Sequence, residues 1–423
     1  MHLGLFLLAA GHHAGGWRMP GAESGTENFD LIARMSRLAE SACFDMVFFG
    51  DRLVTTADSP PSMITRPDPL VVLAALATQT QRIGLVATGS TTYSEPYALA
   101  RALASVDLLS GGRAGWNIVT TVQDGSINFT RTTHPAHDER YAIAHEFVEV
   151  VKGLWRSWDA QPYVRDAERG IYMDTSKLHT LNHKGRYFEV AGPLNVTRSP
   201  QGEPVLVQAG SSGPGQALGA RFAEVIFTAQ WNLREAQAFY AAIKQQVVAA
   251  GRDAGAVKVM PGLMPIIGRT REEARAKLAQ LQSFTDESKA HYVLGAELDA
   301  DVSAYPLDGP VPELPVDGAF SRRKLLLELA HAQKLTLREL YHQVANSRGH
   351  QIVVGTADDV ADHMQRWVEA EAADGFNIMP AYFPGGFDDV VHEVVPRLQA
   401  RGLFRQRYAG STLRDHLGLP IAL

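Results

Sequence analysis

RIGLVATGSTTYSEPYALARALASVDLLSGGRAGWNI, from Arg82 to Ile118, contains one complete structural unit. Arg82 to Thr88 is an apolar run of strand length, and Arg113 to Ile118 is a second. Between them, Pro96 to Leu109 repeats apolar residues at helical spacing, and it opens with proline where a missing N–H costs little. Strand, helix and strand in this order predict parallel strands joined by a crossover helix. The same rhythm runs outward in both directions. Further strands are expected at His2 to Leu8, Met46 to Phe49, Pro204 to Gln208, Glu224 to Thr228, Lys258 to Ile267 and Phe376 to Pro380. Helical patterns accompany them at Glu27 to Ser41, Pro69 to Thr80, Glu139 to Trp158, Gly215 to Phe222, Leu233 to Ala250, Arg271 to Gln282 and Ala357 to Ala373. Thr356 is placed to cap the last of these, with Asp358 and Asp359 at its positive end. Eight such units predict a TIM (β/α)8 barrel, whose active site forms at the carboxyl ends of the strands. The alternative is an open doubly wound sheet, because alternation alone does not show closure.

Two excursions break the rhythm. Asp159 to Glu203 contains HKGRYFEVAGPLNV, where aromatic and apolar residues beside Gly-Pro predict a hairpin on the barrel rim. Ser283 to His350 combines a helical pattern at Ser321 to Gln343 with the proline-rich DGPVPELPVDG. Insertions this long are more often lids than spacers, and both are candidates for closing the site. With no internal repeat, low-complexity tract or linker, one domain over residues 1–423 is expected, with insertions at 159–203 and 283–350.

Composition narrows the function. The 423 residues are 45% hydrophobic and 20% charged, enough for a full core. Forty basic against 46 acidic residues, in no long blocks, argue against a nucleic-acid or acidic-lipid surface and leave small neutral or anionic substrates open. The single cysteine, Cys43 in SACFDMVFF, fits a reducing cytoplasm and reads as a buried apolar residue. MHLGLFLLAAGHHAGGW has no basic leader, and its apolar run falls short of the roughly 20 residues of a membrane span, so no export signal or anchor is expected.

Two stretches carry chemistry. In HPAHDERYAIAHEFVEVVKGLWRSWD, His134 to Asp159, His137 and Tyr141 lie one turn apart on one helix face, where they could hold a ligand between them. In QAGSSGPGQALGA, Gln208 to Ala220, an apolar run ends and a helix begins. The amides freed at that helix start, with the hydroxyls of Ser211 and Ser212, suit a phosphate. One cofactor with a phosphate and a polar ring would explain both stretches. Gly213 and Gly215 match only part of a dinucleotide fingerprint, so NADH binding is not expected.

FFGDRL at Phe48 to Leu53, ATGSTTYSEPYALAR at Ala87 to Arg101, GGRAGWNIVTT at Gly111 to Thr121, HDERYAIAHEF at His137 to Phe147 and QAGSSGPG at Gln208 to Gly215 together resemble the bacterial luciferase-like superfamily. Within it the likeness is to the nitrilotriacetate monooxygenase family, with its dibenzothiophene sulfone, EDTA and long-chain alkane monooxygenases. The motifs keep the same order along nearly the whole chain, from HLGLFL to FNIMPAYFPGG. The resemblance implies a TIM barrel and FMN used as a reduced co-substrate (FMNH2). It also implies O2, a small organic substrate and a separate NAD(P)H:flavin reductase. It places Asp51 near the flavin ring, with a helix cap or an ion pair to Arg52 as the alternative. Thr88 and Ser90 would let the ring approach closely and hydrogen-bond it, or be turn formers. Asn117 would meet the pyrimidine edge or ribityl hydroxyls, or be a structural amide. Tyr141 matches a tyrosine that reaches the phosphate, His137 a histidine beside the flavin tail, and Ser211 and Ser212 the phosphate site.

On the substrate side the resemblance places His12 and His13, with Trp17 and Arg18, in GHHAGGWRMP. A metal is a poor alternative, as no third ligand follows at a recognisable spacing. His350, before the short strand of GHQIVVG, is a further candidate for facing substrate, or else a polar anchor for the lid. Trp155 and Trp158 read as packing residues. A homodimer or homotetramer in the cytoplasm is expected. The competing functions are a deazaflavin-dependent oxidoreductase on the same barrel and a flavin-binding protein without activity.

Overall fold

The computed structural model describes residues 1–8, 10–57, 59, 61–129, 133–210, 212–314, 321–347 and 349–422. Nine parallel strands form one sheet: β1 (His2–Phe6), β2 (Met46–Phe49), β3 (Gly84–Ser90), β4 (Ala114–Val119), β5 (Val205–Gln208), β6 (Val225–Thr228), β7 (Lys258–Ile267), β8 (Gln351–Gly355) and β9 (Gly375–Ile378). Pairing runs from β1 through β2, β3, β4 and β5 to β6. It then passes through β7 and β9 back to β1. The ring is therefore closed by eight strands, which excludes the open sheet. The eight barrel strands are those the alternation predicts.

β7 is twice the usual length and pairs with three strands. Its first half pairs with β6, Gly262 and Leu263 pair with β9, and Leu263 to Ile267 pair with β8 above the barrel. The short strand of GHQIVVG is thus a ninth strand, started at the barrel mouth by His350.

Around the barrel lie α1 (Phe29–Ser41), α2 (Pro69–Ala77), α3 (Pro96–Leu109), α4 (His137–Trp155), α5 (Gly213–Phe222) and α6 (Leu233–Ala249). Alternate residues of each strand divide the core. Leu3, Leu5, Val47, Phe49, Leu85 and Ala87 pack outward against helices. Phe6, Met46, Phe48, Val86, Val207 and Phe227 fill the interior. Cys43 is buried, and Trp155 sits in the core under α3. Among the described residues no helix is long and apolar enough to cross a membrane.

The first insertion folds into two antiparallel hairpins, Tyr163–Asp166 with Ile171–Met173 and His183–Lys184 with Glu189–Val190. The second is the expected one, but it lies on the flank of α4 rather than on the rim. Glu146 of α4 accepts the amides of Arg186, Tyr187 and Phe188. Leu181, Phe188 and Val190 pack on the outer face of α3 and α4. This segment leaves α4 at its carboxyl end, on the far side from the strand carboxyl ends, so it does not close the site.

The second insertion stays at the barrel mouth. After α7 (Arg271–Ser283) come α8 (Ala290–Leu298), α9 (Ser321–Gln333) and α10 (Leu337–Ser347). The continuous helix expected over Ser321 to Gln343 is broken at Lys334, whose φ is 53°. The last residues of the proline-rich run, 315–318, lie outside the described residues. These helices share their own core of Leu294, Leu298, Leu326, Leu340 and Val344. They touch the loop after β1, where Ala14 donates to the Ala345 carbonyl over 3.3 Å.

Then α11 (Ala357–Glu369) begins with Thr356 and Asp359 in a reciprocal capping box. Among the helices that were not expected, Gly385–Asp389 passes through a π turn at Val390–Val394 into Val395–Ala400. Gly385, Gly386 and Pro396 mask it in the sequence, and the π turn absorbs the hydrogen bond that Pro396 cannot make.

Candidate active site

The inward residues near the carboxyl ends of the strands form a floor with two halves. One half is polar. Thr88 on β3 and Asn117 on β4 are paired in register, and Asn117 Nδ2 donates to Thr88 Oγ1 over 2.8 Å. Thr88 passes its own proton to the Phe49 carbonyl at 2.8 Å. The Asn117 oxygen Oδ1 is buried with no hydrogen-bond partner, an acceptor left for a ligand.

The other half is aromatic. Phe6, Phe48 and Phe227, from β1, β2 and β6, meet edge to face or tilted at 4.9 to 5.6 Å. His12 lies edge-on to Phe6 at 4.6 Å, and His350 stacks on Phe227 at 4.9 Å and 11°. Two histidines separated by most of the chain thus flank one apolar surface. His12 Nε2 is 2.8 Å from the Phe6 carbonyl. His13, also buried, points Nδ1 at the Gly15 amide over 3.0 Å and is turned into its own loop.

Asp51 follows β2. Burial pushes its carboxyl above the ordinary range, opposed by the Arg52 amide at 2.7 Å and the charge of Arg66. Ser90 is engaged locally: its oxygen takes the amides of Thr92 and Tyr93 and faces the Thr121 hydroxyl at 2.7 Å.

Across β5 lies the second group. Ser212 caps α5 by accepting the Gly215 amide over 3.3 Å, and its Oγ is 3.4 Å from the Tyr141 hydroxyl. A Cβ on Gly215 would fall 3.0 Å from that hydroxyl, and one on Gly210 would fall 2.3 Å from Gln208 Nε2. The bare glycines leave a cradle of amides facing Tyr141, a shape and polarity suited to an anion. His137 and Tyr141 have ring centroids 5.1 Å apart, as their one-turn spacing predicts, while His137 Nδ1 is 2.9 Å from Asp138. Ser211 lies outside the described residues.

Four residues of this site escape sequence reasoning. Phe6, Phe48 and Phe227 look like any strand residues, although their alternation gives the inward face. Arg66 sits in an irregular segment with no periodicity. Among the described residues, no group of three or more His, Cys, Asp or Glu side chains is placed to hold a metal ion.

The comparisons with known proteins agree with this geometry. Residues 1–374 match the model of the family described as luciferase-like monooxygenase. The chain is similar to the N-acetyl-S-(2-succino)cysteine monooxygenase of Bacillus subtilis, with 50% identity over 99% of this chain and 96% of that protein. It is 43% identical to nitrilotriacetate monooxygenase component A of Aminobacter aminovorans, over 99% and 96% of the two chains. Among solved structures, a riboflavin lyase with modified FMN and riboflavin superposes with a TM-score of 0.87, at 33% identity over 99% of this chain and 96% of that one. With this barrel and these relatives along almost its entire length, the chain belongs to the luciferase-like monooxygenase family and is a flavin-dependent monooxygenase.

Proposed function

We propose that this chain is the oxygenase component of a two-component system, taking reduced FMN from a separate NAD(P)H:flavin reductase and using O2 to oxygenate a small organic substrate. The cradle formed by Gly210, Ser212, Gly215 and Tyr141 carries the reading, since it suits a monophosphate and lies beside a floor with an unsatisfied acceptor. Tyr141, Ser212 and the first amides of α5 would hold the phosphate, with Ser211 in the same role. His137 would run along the flavin tail. Asn117 Oδ1 would accept from the ring edge, Thr88 would hold that amide in place, and Ser90 would shape the adjoining turn. Asp51, kept close by burial and Arg66, would face the ring from β2.

When bound, reduced FMN supplies the electrons that activate O2. The chain's own part is to position and to exclude water. Phe6, Phe48 and Phe227 make a dry floor, and α8 to α10 are the cover. His12, His13 and His350 would serve the substrate side, and of these His12 and His350 border the aromatic floor.

Anaerobic calorimetry against reduced and oxidised FMN tests this. A co-substrate enters and leaves in each turnover, so the reduced form should bind more tightly, and the protein should not oxidise NADH unaided. Rapid NADH oxidation by this chain with FMN alone would refute the two-component reading.

A further inference from the structure

A pocket of about 700 Å³ opens between the segments that follow β1 and β2. Its wall includes Trp17, Glu27, Pro61, Ile64 and Arg66, none of which has been given to the flavin. Arg66 is the residue that reaches from this pocket back to the barrel. A Cβ placed on Gly50, directly after β2, would lie 2.9 Å from the Phe6 ring and 3.2 Å from Arg66 Nη1. The guanidinium therefore occupies the corner where the pocket meets the aromatic floor.

The cation in that corner is incompletely used by the protein. Nη2 donates to the Ser62 carbonyl over 3.1 Å, while Nε is buried with no hydrogen-bond partner. The charge of Asp51 reaches it, but among the described residues no carboxylate comes within ion-pair distance of it. Burial lowers its pKa only to about 10, so it is charged at neutral pH. A charge withdrawn from water is costly unless it is paired, and a planar guanidinium binds a carboxylate through two parallel hydrogen bonds. The rest of the wall divides by chemistry. Trp17 and Ile64 expose apolar surface, whereas Glu27 is at the exposed rim, where solvent screens it.

We infer that Arg66 is the specificity-determining cation of a substrate subsite, binding a carboxylate of a small organic acid whose apolar part rests on Trp17 and Ile64. This names the substrate class for the monooxygenase reading above and rests on it. An acid seated here would extend its far end toward Phe6 and the strand ends.

The test uses the full chain with succinate as probe and succinamide, its neutral counterpart, as control. Binding is followed by calorimetry and by tryptophan fluorescence. Succinate should bind and succinamide should not. Arg66→Gln should weaken succinate by about tenfold or more, and Arg66→Lys should restore part of the loss. Trp17→Phe should remove most of the fluorescence response, and Arg66→Gln should weaken FMN far less than it weakens succinate. Equal binding of the two probes, no binding of succinate, or full succinate affinity in a folded Arg66→Gln protein would overturn the subsite. An equal or greater loss of FMN affinity in that variant would assign the guanidinium to the flavin and overturn it as well. If wild type fails to bind FMN while succinate still depends on Arg66, the subsite stands and the flavin reading fails.

Discussion

The side-chain amide of Asn117 donates to the hydroxyl of Thr88 across two adjacent strands at 2.8 Å, leaving its own oxygen buried and unpartnered. Thr88 is in turn fixed by the Phe49 carbonyl, so three strands set the direction of one amide. A ligand that pairs with Asn117 therefore depends on a residue it need not touch. Thr88→Val and Asn117→Ala should each weaken FMN, by about 0.5 to 1.5 kcal/mol for a neutral hydrogen bond. In a double-mutant cycle read by calorimetry the two losses should be less than additive. Full additivity would separate Thr88 from the orientation of Asn117.

Tyr141→Phe and Ser212→Ala should weaken FMN more than riboflavin. Both hydroxyls border the amide cradle at the start of α5, and riboflavin has no phosphate to place there. A hydrogen bond to a charged acceptor is worth about 1.5 to 3 kcal/mol, which sets the expected difference between the ligands. Ser212→Ala also removes a helix cap, lowering stability by about 1 kcal/mol, so Tyr141→Phe is the cleaner variant. Equal weakening of both ligands would move these residues away from the phosphate.

Removing residues 287–347 and joining the ends by a short linker should leave the barrel folded. Their helices pack on a core of their own, and β8 with His350 lies beyond the deletion. FMN should still bind, because the cradle sits on the other side of the barrel, between α4 and α5. Without the cover, reducing equivalents should pass to hydrogen peroxide in place of product. Peroxide and product would be measured together on a substrate turned over by the wild type. Unchanged coupling would show that α8 to α10 are not a lid.

Stability should carry a pH signature from Asp107. Burial raises its pKa to about 6, although Ser199, the Ala114 amide and Gln201 all donate to it. Between about pH 4 and 6 the native state keeps a proton that the unfolded chain has released. The contribution of Asp107 to stability therefore falls as pH rises through that window and is level above it. Two pKa units correspond to a change on the order of 3 kcal/mol. Asp107→Asn should flatten this part of the curve in urea titrations across the window. Parallel curves for the variant and wild type would show that Asp107 titrates normally.

Neighbour-to-neighbour pattern was enough for much of this molecule. Alternation at a period of two marks the strands, and it also separates Leu3 and Leu5, which face helices, from Phe6, which faces inward. The spacing of four between His137 and Tyr141 brings their rings together because a helix returns to the same face after one turn. These relations lie within a few bonds of backbone geometry and need no knowledge of the rest of the chain. Ser90 shows the limit: its strand-end position and the turn amides that bond its oxygen are local, but the Thr121 hydroxyl facing it comes from the next unit.

What tertiary structure alone decided is which distant pieces share a surface. His12 and His350 flank the same aromatic floor because β6 pairs with β7 and closes the ring, and nothing local to either histidine encodes that pairing. The first insertion was expected to help close the site, but the end of α4 releases it on the far side of the barrel, and it packs back along α4. β7 carries a ninth strand on the barrel because its residues beyond Leu263 outrun the ring and find β8 instead. Arg66 follows the same rule. Its segment has no period to read, and it meets Phe6 because β1 pairs with β2, so strand pairing and not the local sequence sets the neighbours of this charge.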